Sequence, residues 1–241
     1  MKIELTDTPL LSPQQIGELA STLDSLHNRV LKAIARLQKD VDTRKAEIAN
    51  RWKSAGIDAV DKARFAKSET LASVRQIKDN SRAELDRLFK EAGPSHAQII
   101  TQRPFYDSPV KVLSRAALGD ARRTAYLQQL AHAGPAELGH MAQVAVATRN
   151  EALAATVLSL LDAMPTKDRP VSPQALAAAM ELDDYAKVRE YIKLCDARLQ
   201  GIVLAVRTWH QGKSNPLDTV SLALRERAID RAVMGEIENG D

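Results

Sequence analysis

The 241-residue chain carries a single cysteine, Cys195. One thiol makes neither an internal disulfide nor a cysteine-based zinc site, and it suits a reducing compartment. Aromatic residues are scarce as well, at 4%, and Gly and Pro number only 10 each. A β-rich fold draws on aromatic and β-branched residues and on frequent turns, so this shortage argues against one. Long apolar runs are missing. The longest, Ala152–Leu161, is too short to span a bilayer and ends at Asp162. The amino-terminal MKIELTDTPLLSPQQ lacks the apolar core of a signal peptide. A soluble chain, cytoplasmic before any assembly, is the expectation.

What is present fits an all-α protein. Hydrophobic residues are 44% and charged residues 27%, which excludes whole-chain disorder for want of apolar surface. Lys plus Arg is 34 and Asp plus Glu is 31, a net of +3. Residues 1–93 hold 17 basic and 14 acidic residues, and the remainder holds 17 of each. Dedicated nucleic-acid binders show a denser basic face.

The organisation reads as a tail over 1–12, a long amphipathic helix or coiled coil over 13–92, a proline and aromatic connector over 93–108, and a helical bundle over 109–241. Ser12-Pro13 is a helix start, and Gly93-Pro94 is a stop signal. Ile16, Leu19, Leu23, Leu26, Val30, Ala33 and Leu37 alternate steps of three and four, a heptad seam that Asp40 and Arg44 interrupt. From Ile48 an 11-residue repeat follows through Trp52, Ala63, Val74 and Leu85, with Ala49, Val60 and Leu71 as a flanking row. Such a stripe cannot be buried on its own helix, so it requires partner helices. Two arrangements compete. A stripe in phase across Gly56, and the cost of about 1 kcal/mol for one helical glycine, favour a continuous helix. A hairpin, with Gly56 ending one helix and Asp58 capping the next, would pair the two halves within one chain.

Past Pro109, punctuation recurs. Ser108-Pro109 opens a helix predicted to end at Gly119, Asp120 caps one ending at Gly134, and Pro135 starts another reaching Arg149. Asn150 caps a segment to Met164, and Ser172-Pro173 opens a short alanine-rich helix. Asp183 or Asp184 caps a long helix ending at Gly212. Its stripe runs Tyr185, Val188, Ile192, Cys195, Leu199, Ile202, Val206 and Trp209. Pro216 opens a last helix through LDTVSLALRERAIDRAVMGEI.

Catalytic signatures fail on inspection. Gly212-Lys213-Ser214 ends like a phosphate-binding loop, but Arg207 stands where the first glycine belongs. Glu137 and His140 form a lone ExxH, whereas di-iron bundles need two such pairs and two further glutamates. Cys195 sits on an apolar stripe, the setting of a structural thiol. Asp183-Asp184 reads as a helix cap. No catalytic, cofactor or metal-binding residue is therefore assigned. The richest basic stretch, Arg29–Lys53, holds eight cations against three acids. Lys32, Arg36, Lys39, Arg44 and Lys45 are its candidate phosphate contacts.

The function expected is that of a non-enzymatic structural or assembly protein. It would oligomerise with itself, or dock on other proteins of a large assembly, through long helices. In layout alone the chain resembles phage virion, scaffolding or internal ejection proteins; no residue motif carries the likeness, and no functional residue transfers from it. That resemblance implies a virion as an eventual location. The alternative is a nucleic-acid-associated helical protein using residues 29–53. On the assembly reading, Ile16, Leu19, Leu23, Leu26, Val30 and Leu37 form the oligomerisation seam. Leu23→Asp or Leu26→Asp would then lower the molar mass measured by light scattering and leave the carboxy-terminal helices folded. On the alternative, binding would weaken steeply with salt.

Overall fold

The computed structural model describes residues 10–212 and 216–229. Among these residues there are nine α-helices and no strand: α1 (Pro13–Lys53), α2 (Ala59–Tyr106), α3 (Pro109–Arg115), α4 (Ala121–Gln129), α5 (Pro135–Ala147), α6 (Glu151–Ala163), α7 (Pro173–Ala179), α8 (Asp183–Gln211) and α9 (Pro216–Arg227). Most of the tail, Lys213 and Ser214 of the rejected phosphate-loop match, and the end of the last predicted helix lie outside the described residues.

Helix α1 does not run on into α2. The chain leaves the helix at Ser54, turns through Gly56 and re-enters at Ala59. Asp58 caps α2, its carboxylate accepting the Val60 N–H at 3.0 Å. The continuous helix over 13–92 is thus corrected to a helical hairpin. The physical reason is proximity: a five-residue turn costs little closure entropy and brings a partner for the stripe from the same chain. Three cross-helix ion pairs mark the register, Arg29–Glu91 at 3.4 Å, Arg36–Glu84 at 2.7 Å and Arg51–Glu69 at 2.6 Å. The residue numbers of each pair total 120, as in two antiparallel helices keeping one register throughout.

The stop expected at Gly93-Pro94 is also overturned, and with it the connector over 93–108. Helix α2 passes through both residues to Tyr106. Pro94 withholds one backbone hydrogen bond and crowds the preceding turn, a cost of about 3 kcal/mol in a helix interior. The apolar stripe on either side outweighs it. Leu85, Leu88 and Ala92 before the proline, and Ile99 and Tyr106 after it, are all buried at helical spacing, and one fully buried aliphatic side chain contributes about 1.5–3 kcal/mol.

The chain divides into two compact units that interleave along the sequence. One comprises Met1–Gln14 with Ile100–Tyr191, the other Gln15–Ile99 with Ile192–Asp241. Helices α2 and α8 each supply residues to both, so a single carboxy-terminal domain over 109–241 does not describe the grouping.

In the first unit, α6 is the central element, in contact with α3, α4, α5 and α7. Its sequence, EALAATVLSLLDA, explains the position. Ala152, Ala154 and Ala155 keep the helix thin enough for close neighbours on several sides, and Leu153, Val157, Leu158 and Leu161 fill the core. Its buried Thr156 hydroxyl donates to the Ala152 carbonyl at 2.8 Å. The caps stand where the sequence places them. Asp120 accepts the Arg122 N–H, Asn150 accepts the Leu153 N–H and Ser172 accepts the Ala175 N–H. Helix α3 ends earlier than expected, at Arg115, because Ala117 and Gly119 both take positive φ. The segment before α1 is tied down at Leu11. Its N–H donates to Gln102 Oε1 at 3.0 Å, and its carbonyl accepts the Tyr106 hydroxyl at 3.3 Å.

In the second unit, the carboxy-terminal two-thirds of α8 completes the hairpin. Leu26, Val30, Ala33, Leu37 and Val41 of α1, Leu85, Leu88 and Ala92 of α2, and Ile202 and Trp209 of α8 form one core. Val41 takes the seam position that the heptad spacing assigned to Asp40, a shift of one residue that carries the stripe on to Ile48. Ile16, Leu23, Leu26, Val30 and Leu37 are buried within the single chain, and Leu19 is half-buried. The seam assigned to oligomerisation is therefore spent on intramolecular packing.

Leu23→Asp is accordingly expected to unfold the hairpin unit, because a buried unpaired charge is very costly. Circular dichroism should show lost helicity and a large fall in Tm. A variant with the wild-type Tm and a reduced molar mass would restore the intermolecular seam.

Candidate functional site

Functional geometry in the second unit begins where α1, α8 and α9 meet. Arg198 of α8 donates through Nε to Asp24 of α1 and through Nη1 to Glu226 of α9 at 3.1 Å. The Asp24 and Arg198 side chains are mostly buried, and Asn28 donates a further bond to Asp24 Oδ2 at 3.0 Å. These residues join α1, α8 and α9.

One turn along α1, His27 is buried against Gly201 of α8. A Cβ at position 201 would stand 2.6 Å from His27 Nε2, so glycine is required there for the ring to fit. Burial holds the His27 pKa below its ordinary value, the nearby Arg198 guanidinium lowers it further, and Asp24 opposes them. The Nδ1 atom of the ring has no hydrogen-bond partner among the described residues.

A groove of about 730 Å³ starts beside this ring. His27, Leu31, Ile34, Gln38, Val41 and Lys45 line it from α1, stepping alternately by four and three, a row next to the packed seam. Leu204, Ala205, Thr208 and Trp209 of α8, Val74 and Lys78 of α2, and Thr219, Leu222 and Glu226 of α9 complete the walls. Lys78 Nζ lies 5.9 Å from the centre of the Trp209 ring, and Trp209 Nε1–H donates to Ser81 Oγ at 2.9 Å. Thus the serine that interrupts the α2 stripe is satisfied by the tryptophan that ends the α8 stripe.

The candidate phosphate contacts do not gather on one surface. Arg36 pairs with Glu84 across the hairpin, Arg44 pairs with Glu47 at 2.9 Å and Lys45 pairs with Asp42 at 3.4 Å. Lys45 lines the groove, Arg44 borders the opposite α2 face beside Ser73 and Gln76, and Lys32 and Arg36 lie beside Arg87. Lys39 is exposed. Cys195 is fully buried, and burial pushes its pKa up to about 12, so the thiol is held protonated at neutral pH. Glu137 and His140 are exposed on α5, and no group of three or more potential metal ligands occurs among the described residues.

Sequence reasoning missed Asp24, His27, Arg198 and Gly201. Each stands beside a stripe position, Asp24 next to Leu23 and Arg198 next to Leu199, and each reads locally as a solvent-facing or neutral residue. The available signal was a pair of opposite charges flanking two stripes; which stripes meet is not written locally. Compared with protein-family models, curated proteins and solved structures, the chain matches none.

Gly201→Ala is expected to destabilise the protein, and far less so when His27 is already alanine; a double-mutant cycle on Tm or urea unfolding should give a coupling of about 1 kcal/mol or more. The histidine also sets a pH dependence. The unfolded chain protonates it near 6.5 and the folded chain only at lower pH. Between those values the unfolded state binds more protons, so stability is full above 6.5 and falls as the pH drops toward the folded value. Replacing His27 by Leu should flatten that decline between pH 7 and 5; an unaltered profile would show that His27 does not cause it.

Proposed function

We propose that this chain is a non-enzymatic assembly protein that docks on another protein through the distal half of its helical hairpin. The observation carrying this reading is the apolar surface left there. The core shared with α8 extends to Val41 on α1 and Val74 on α2. Beyond it, Ile48 is buried, Trp52 stacks on Phe65 with ring centres 5.3 Å apart, and Glu69 accepts both Trp52 Nε1–H at 2.7 Å and Arg51. These contacts hold the arm together and leave Ile57, Val60, Phe65 and Leu71 outside, with Val60 75% and Leu71 63% exposed. Exposed large apolar residues grouped on one element are a mark of protein contact.

The charges name the kind of partner. Lys53, Lys62, Arg64 and Lys67 are interspersed with these apolar residues. Residues 42–75 hold eight basic and five acidic residues, a difference equal to the whole chain's +3. Asp58, Asp61 and Glu69 offset part of that charge, and the remaining basic excess suits an apolar patch with acidic side chains at its rim on a different protein. The nucleic-acid alternative is weaker, since Arg36, Arg44 and Lys45 are already committed to carboxylates.

Val60→Asp and Leu71→Asp are expected to leave Tm almost unchanged, as exposed substitutions do within about 0.5 kcal/mol. Both should abolish the complex that the full-length chain forms in extract of its source cells, read by native size fractionation and by photo-crosslinking from position 64. A complex that survives both substitutions refutes the docking surface. A salt-resistant multimer of the purified chain, lost in the same variants, would transfer the surface to self-assembly.

A further inference from the structure

Helix α9 presents two opposite faces. Thr219, Leu222 and Glu226 border the groove beside α1 and α8. Leu217, Val220 and Leu224 step by three and four along the other face, and they are 77%, 57% and 61% exposed. Nothing among the described residues covers them. Three large apolar side chains in one row on a 12-residue helix mark a contact surface, and their spacing is that of one helix packed on another. The row lies on a different element from the docking arm and does not depend on it.

The row is complementary to itself. Leu217 stands three residues before Val220 and Leu224 stands four after it. Two copies of α9 laid antiparallel therefore match Leu217 with Leu224 of the other copy twice, and Val220 with itself on a twofold axis. Ser221 and Ala223 flank the row, and side chains that small let two backbones approach closely.

Charge favours the same orientation. Asp218 in the first turn and Arg225 in the last lie seven residues apart on one flank of the row. In an antiparallel pair like flanks face each other, so each Asp218 comes within reach of Arg225 on the other copy, and the two helix dipoles are opposed. Asp218 already lies 3.7 Å from Arg207 of α8, with both side chains partly exposed, and a carboxylate accepts from two guanidinium groups. Arg225 makes no ion pair among the described residues.

We propose that α9 pairs antiparallel with α9 of a second copy of this chain, burying Leu217, Val220 and Leu224 of both. The helix is only about 18 Å long, so the interface falls below the standard size of about 800 Å² per partner, and a dissociation constant of about 10–100 μM is expected. A twofold pair also doubles the number of docking arms, which strengthens a weak contact to a repetitive partner.

Sedimentation equilibrium of the full-length chain at low salt, from about 5 to 500 μM, tests this across that range. A reversible monomer–dimer equilibrium with no larger species is expected, as a closed twofold contact requires. Val220→Glu sets two like charges on the axis and should raise the dissociation constant at least about tenfold, while helicity and Tm hold because the position is exposed. Asp218→Arg and Arg225→Asp should each weaken self-association. An equimolar mixture of those two variants should dimerise again, because the new arginine meets the new aspartate across the interface and the native pair forms on the other side. Such rescue reads pairing between copies and does not arise from a folding defect. Val60→Asp, in the docking arm, should leave the dimer intact. A chain that stays monomeric over the whole range overturns the proposal. So does a dimer unchanged in Val220→Glu, a dimer lost in Val60→Asp instead, or a mixture that associates no better than its two components.

Discussion

An apolar stripe longer than any one helix can bury is the constraint on which the second unit depends. Helix α1 carries it for ten turns and α2 for longer, and neither can fold it against itself. Reversal at Gly56 supplies the first partner, and α8 supplies the second. With α8 in place, Ile202 and Trp209 enter the same core as Leu26, Val30, Leu85 and Leu88. Everything polar in that region follows from the same closure. Ser81 is buried because Trp209 caps it, Asp24 and Arg198 are buried because they satisfy each other, and His27 is buried because Gly201 makes room.

That closure accounts for the apolar side chains of the second unit that stay uncovered among the described residues. The core with α8 stops near Val41 and Val74, so among the described residues the distal hairpin keeps apolar side chains that no third helix covers. Along the proximal hairpin, α1 presents two adjacent apolar rows. The first is consumed by packing. Leu31 and Ile34 of the second, with Val41 from the end of the first, form a wall of a groove that α8 and α9 border without filling. A narrow groove beside a well-packed seam arises naturally when three long helices and one short one meet, because cylinders leave channels where their side chains are small. Gly201, Ala205 and Thr208 are the small residues on the α8 side.

The register of the hairpin is held less by its ion pairs than by the stripe. Arg29–Glu91, Arg36–Glu84 and Arg51–Glu69 are all partly solvent-exposed, where such pairs contribute about 0–1 kcal/mol each. They report the register and discourage slippage. The buried Asp24–Arg198 pair differs in kind. Removing Arg198 leaves the desolvated Asp24 carboxylate without its counter-charge, which is far costlier than the net value of the pair. It therefore specifies which faces of α1 and α8 meet.

The sequence by itself determined the helical class and much of the punctuation. Asp120, Asn150 and Ser172 cap the helices they were read to cap, and the α8 stripe is buried or half-buried along its length, because capping and amphipathic spacing are local properties that a few neighbouring residues decide. Tertiary structure decided the rest. A turn at Gly56 and a helix through Pro94 reverse what local cost predicts, about 1 kcal/mol for a glycine and 3 for a proline. Burial of whole side chains across the hairpin is worth more than either. The seam at Leu23 and Leu26 was legible as a packing surface, yet its partner was not, since a heptad row carries no statement of whether the matching row lies in another chain or in its own. Asp24, His27, Arg198 and Gly201 became a site only when α1 and α8 crossed, 174 residues apart along the chain at the Asp24–Arg198 bond.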